Sequence, residues 1–136
     1  MSTQEFESVR TFLRDHVEAY EHLEVLLLMS RDGHRTWTPA EVAAVLNLPV
    51  PIVSATLDHL RAHHVLETVA EAADTFRYRP ESPDAAECVA ALHRAYESDR
   101  LSIVKVMSAN ALERLRTSTI RTFADAFRLR RRKDDA

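Results

Sequence analysis

The side chains best suited to chemistry in this sequence are its histidines. His59 and His63 lie four residues apart, the spacing that puts two imidazoles on one helix face where they can share a metal ion, and Asp58 and His64 adjoin them. A stable zinc site needs a third and usually a fourth ligand, and no glutamate of the metalloprotease type stands between the pair, so the chain is read as holding no metal and no cofactor. An imidazole's ordinary pKa is about 6.5, so protonation in mild acid would make this surface more basic. Cys88 is the single cysteine, beside Asp84 and Glu87, whose charges raise a thiol pKa. A packed thiol and a reducing, cytoplasmic compartment are expected. No serine or cysteine sits in a glycine-flanked turn that could activate a nucleophile, and Gly33 is the only glycine, which removes dinucleotide-binding and phosphate-cradling loops. The chain is read as no enzyme.

Charge points elsewhere. Residues 1–98 carry 8 basic against 16 acidic side chains, and residues 99–136 carry 10 against 5. The basic end is the candidate for an anionic partner, or for the acidic body of its own or a neighbouring chain. Its densest run is Arg128, Arg130, Arg131, Arg132 and Lys133. The longest apolar run, Val25 to Met29, is far short of the roughly 20 residues that cross a bilayer, and the charged N-terminus is unlike a secretory signal.

The 136 residues suffice for one folded domain. Its regions are an N-terminal helical part (1–30), a central part (31–81) and a C-terminal helical part with the basic tail (82–136). Ser2 and Glu5 form a candidate capping box ahead of Phe6, Val9, Phe12 and Leu13 at helical spacing, and Val17 to Met29 reads as a buried central helix. Asp32-Gly33 marks a turn and Arg35 to Thr38 a short strand. Thr38-Pro39-Ala40-Glu41 is a strong helix start, giving a helix to Leu46 that Pro49 closes. Pro51, Val53, Leu57 and Leu60 predict a second helix of about 13 residues after a turn of about four. Alternation over Leu66–Glu71 and Thr75–Arg79 predicts a β-hairpin. Ser82-Pro83-Asp84 starts a long helix, with Ala85, Val89, Leu92, Tyr96, Ile103 and Met107 as its stripe. The stripe falters at Asp99-Arg100, and Asn110 with Glu113 offers a further cap, so the helix either breaks near Ser108 or runs on through Ile120, Phe123 and Phe127.

Trp37 to Leu46, followed by Val53 through Leu66, resembles the strand, first helix and recognition helix of a winged helix-turn-helix domain, most like the MarR-type bacterial transcriptional regulators. The resemblance implies a mainly α fold with a small β-hairpin wing and flanking N-terminal and long C-terminal helices. It also implies a DNA-binding regulator acting as a homodimer through those flanking helices. Two features depart from the pattern: His64 stands where such regulators have a glycine before the wing, and where they have an arginine at the start of the first wing strand Thr68 is nearby and no arginine appears before Arg77 of the second strand. The wing tip Glu71-Ala72-Ala73-Asp74 is acidic and repels phosphate.

Of the second helix's open face (Pro51, Ile52, Ser54, Ala55, Asp58 and His59, with Arg61 and His63 towards its end), only Arg61 can read a base edge bidentately, and Ser54 can bond a base or phosphate. Arg77 and Arg79 share one strand face and are the expected phosphate or minor-groove contacts. The expected partner is double-stranded DNA, with Ser54, Arg61, Arg77 and Arg79 as contacts. The expected homodimer interface is Leu92, Tyr96, Ile103, Met107, Ile120, Phe123 and Phe127. A rival makes the fold a protein–protein interaction module docking through Val50 and Ile52. A third reading uses the C-terminal amphipathic segment as a membrane-surface or nucleic-acid arm.

Overall fold

The computed structural model describes residues 2–134, with side-chain surroundings through Arg130. Its elements are α1 (Thr3–His16), α2 (Tyr20–Arg31), β1 (Thr36–Trp37), α3 (Pro39–Leu46), α4 (Val50–Ala62), β2 (Leu66–Thr68), β3 (Phe76–Tyr78), α5 (Pro83–Ser98) and α6 (Arg100–Asp134). The fold is mainly helical with one small antiparallel sheet in the order β1-β3-β2. Among the described residues no single helix is long and apolar enough to cross a membrane.

Local chemistry sets the helix starts. Thr38 Oγ1 accepts from Glu41 N–H at 3.3 Å while Glu41 Oε1 accepts from Thr38 N–H at 3.1 Å, a complete reciprocal cap. Ser82 accepts from Ala85 N–H at 3.1 Å. Ser2 caps Glu5 N–H at 3.1 Å, but the expected return bond is missing, because Glu5 instead accepts from Arg94 of α5 at 2.6 Å. An ion pair between helices has displaced half of the box.

Among the described residues three turns are left-handed without glycine: Asn47 (φ 55°), His64 (φ 62°) and Asp74 (φ 58°). Asn47 ends α3, and Leu48 N–H reaches back to Ala43 O at 3.1 Å. After α4, His64 N–H bonds Arg61 O at 3.0 Å and Val65 N–H bonds Leu60 O at 3.2 Å, the paired bonds of a Schellman closure. Between α3 and α4 the chain turns through 115°.

The core is a single cluster. Leu23, Val25, Leu26 and Met29 of α2 meet Val53, Leu57 and Leu60 of α4, with Val9 and Leu13 of α1 and Trp37 and Phe76 of the sheet around them. A Leu→Ala change in such a site costs about 2–5 kcal/mol, so α4 is held rigidly by its inner face.

Three expectations are corrected. The helix from Ser82 breaks at Asp99, where the stripe falters, because Asp99 accepts from the N–H (3.3 Å) and hydroxyl (2.6 Å) of Ser102 and so caps α6; of the two courses expected beyond, there is no break near Ser108 and α6 runs on through Ile120, Phe123 and Phe127. Asn110 therefore caps nothing and lies buried inside α6. The expected hairpin is there, but Arg35–Thr38 yields a strand of only two residues, which pairs with β3 as a third strand (Trp37 opposite Phe76).

Candidate functional site: the open face of α4 and the hairpin beside it

Burial of Val53, Thr56, Leu57 and Leu60 turns the other face of α4 outward. Arg61 is exposed and Ser54 half-buried on that face. Seven residues apart, they stand two turns and about 10 Å from each other along the axis. Asp58, exposed, sits between them. Val50 and Ile52 are exposed at the helix start.

The hairpin brings Arg77 and Arg79 to one side, as the alternation implied, and places Glu67 with them. Glu67 is directly across the ladder from Arg77. Arg77 Nε donates to Glu67 Oε1 at 3.0 Å, its Nη2 bonds the same oxygen, and Arg79 Nη1 lies 3.4 Å from Oε2. Hydrogen bonding from Arg77 holds the Glu67 carboxyl below its usual range. The two arginines thus share one carboxylate, which the sequence reading missed. The signal was Glu67 itself, on the alternation that also sets Arg77, once the hairpin register is known.

Behind the end of α4 lies a larger cluster than the His59–His63 pair. His16 at the end of α1 and His63 meet Nδ1 to Nδ1 at 3.1 Å, one donating and the other accepting. His59 Nε2 donates to the main-chain oxygen of His16 at 2.9 Å. His59 stacks between His22 (ring centroids 4.1 Å) and His63 (4.2 Å), and His22 Nδ1 accepts from Glu18 N–H at 3.2 Å. Burial, then the neighbouring His59, holds His22 and His63 below the ordinary imidazole value. Among the described residues no three histidine, cysteine or carboxylate side chains converge as a metal-ligand set. The cluster ties the α1–α2 junction to α4 through ring–ring and ring–backbone contacts. His16 and His22 escaped the sequence reading because only the fold brings them to α4.

Cys88 is half-buried, and burial, reinforced by Asp84 and Glu87, pushes its thiol up.

The residues expected at a dimer interface divide. Leu92 and Ile103 are 0% exposed in the protomer's own core and offer nothing to a second copy, which corrects that expectation. Tyr96 is half-buried, its hydroxyl 2.5 Å from that of Tyr20, and Met107 packs against the core. Ile120, Phe123 and Phe127 are open, at 69%, 74% and 59% exposure. Leu101, Leu112 and Phe123, all exposed, recur every eleven residues, close to three helical turns, on the face opposite Ile103 and Asn110. Arg128 and Arg130 are exposed, while the side chains of Arg131, Arg132 and Lys133 fall outside the described residues.

The chain matches no protein-family model, no curated protein and no solved structure.

Proposed function

We propose that the protein is a winged-helix DNA-binding regulator that acts as a homodimer. The observation that carries this reading is the 115° turn between α3 and α4 followed at once by an antiparallel hairpin. Such a turn is that of a helix-turn-helix, whose second helix enters the major groove. Ser54 and Arg61 of α4 then face the bases, and Arg77 and Arg79 of the hairpin face the phosphates. The left-handed backbone at His64 supports the reading, since that is the conformation a glycine would supply at the entry to a wing. The exposed stripe of α6, with Ile120, Phe123 and Phe127, is the surface for the second copy.

The test is selection from a random duplex library with salt titration, together with the mass in solution. A dimer enriching a palindrome, with log affinity falling against log salt, is the expected result. A monomer with no enrichment and no affinity tighter than about 10⁻⁴ M at low salt overturns it. Exposed Val50 and Ile52 favour a second reading, docking of a protein at the start of α4. Ile52→Asp would then remove a partner that the parent chain retains.

A further inference from the structure

The second half of α6 stands clear of the rest of the protein. Over residues 115–130 every position but Ala124 is exposed, a length of about 24 Å. Leu115, Ile120, Phe123, Phe127 and Leu129 all lie in this stretch. A helix owes most of its stability in water to a packed apolar face, yet the hydrophobic core goes no further along α6 than Met107.

The outward face carries a regular pattern. From Leu101, steps of three, four and four residues lead through Val104 and Ser108 to Leu112, and the same steps lead on through Leu115 and Thr119 to Phe123. A repeat of eleven residues averages 3.67 per turn, so its stripe runs almost straight along the helix and suits a second helix laid against it with a slight right-handed twist. The stripe faces away from buried Ile103 and Asn110, and it continues unbroken from the half of α6 that packs on the body into the exposed half.

We infer that two copies of the chain pair through α6 in antiparallel, each exposed half lying on the body-packed half of the other and each basic tail ending against the acidic half of the second copy. The inference deepens the homodimer of the proposed function and rests on that part of it. With the two-fold axis between Glu113 and Arg114, the stripes match large to small: Phe123 meets Val104, Leu101 meets Ala126, and Leu112 meets Leu115. Along one edge Ile120 meets Ala109 and Phe127 meets Ser102, while Glu113 and Arg116 pair reciprocally across the axis. A parallel pair stacks Phe123 on Phe123 and sets the two basic runs 128–133 side by side, where they repel. In antiparallel, Arg130 reaches the junction of α5 and α6, where Glu97 and Asp99 are exposed, on a half that carries 8 basic against 16 acidic residues. The tail is thereby taken up within the dimer and not offered to a nucleic acid.

The experiment uses the full chain carrying Cys88→Ser, Leu101→Cys and Ala126→Cys together. After oxidation the linked peptides are mapped by mass spectrometry, and the mass in solution is measured alongside. A disulfide needs Cα atoms within about 7 Å. Positions 101 and 126 of one helix stand about 38 Å apart, so a 101–126 link forms only between copies. A dimer with that link is expected, and its dissociation constant should rise with salt, because screening weakens attraction between opposite charges. In the parent chain, Arg116→Glu should weaken the dimer several-fold, and Glu113→Arg added to it should restore the affinity. A dimer linked 101–101 and 126–126, or one that tightens with salt, overturns the antiparallel pairing and leaves the homodimer standing. So does a dimer with no link at either position, which gives the interface to another surface. A monomer overturns both.

Discussion

Arg77 and Arg79 of the hairpin and Arg114 and Arg121 of α6 carry the same charge and differ in what already holds it. In the hairpin, Glu67 lies between two guanidiniums and occupies both. In α6 the acceptor is a main-chain oxygen at one residue, and at the other none is found among the described groups. Counting basic residues therefore overstates the hairpin and understates the middle of α6. A cation that must first leave a carboxylate gives back part of what it gains at a phosphate, whereas an unmet one gives back nothing.

Breaking the hairpin's internal neutralisation should have the largest effect on the comparison. Glu67→Gln frees both arginines, and affinity for duplex DNA should rise about tenfold, with the slope of log affinity against log salt steeper by about one to two. Fluorescence anisotropy across a salt series measures both, and an unchanged slope removes the hairpin from the interface. Replacing Arg77 and Arg79 together by alanine should act less, lowering affinity several-fold with a shallower slope, because Glu67 already screens them in the parent. If the loss exceeds the gain from Glu67→Gln, the carboxylate is not restraining the arginines.

A smaller effect concerns what lies behind α4. His22 and His63 are held below the ordinary value of 6.5. The unfolded chain therefore binds protons there before the folded one does, and stability is fully present above about pH 6.5 and falls as pH drops through that value toward the lower folded ones. Urea denaturation across that range should show the decline. His63→Gln should flatten part of it, and an unaltered pH profile would detach that imidazole from the effect. Smallest of all is Gly33→Ala, which touches neither set of arginines. A Cβ there meets Tyr78 at 3.5 Å, an ordinary contact, and Gly33 has no left-handed φ, so melting should rise by the equivalent of about 0.4–1 kcal/mol.

What could be read from the sequence was what depends on near neighbours. Thr38 with Glu41, and Ser82 with Pro83, announce their helices because cap and capped amide are three residues apart. The alternation around Phe76 and Tyr78 gave the hairpin for the same reason. Asp99 was harder, since its cap to Ser102 competes with an equally plausible signal at Asn110 and is decided by distant groups: Tyr20 against Tyr96, with Arg100 donating to Tyr20 at 2.8 Å. The site followed the same rule. Ser54 and Arg61 on the outer face of α4 were legible from periodicity. His16 beside His63 was not, because 47 residues of chain separate two rings that the packing of α1 brings together.

The left-handed turn at His64 has a consequence for how this chain could be re-engineered. A side chain in that conformation costs about 1–2 kcal/mol, a cost that asparagine and aspartate, the residue types at the left-handed Asn47 and Asp74, bear more readily than histidine does. Glycine, ordinarily a loosening replacement, would relieve the strain here while widening the freedom of the denatured chain at one position only. In a sequence with a single natural glycine, position 64 is where adding a second would strengthen the molecule.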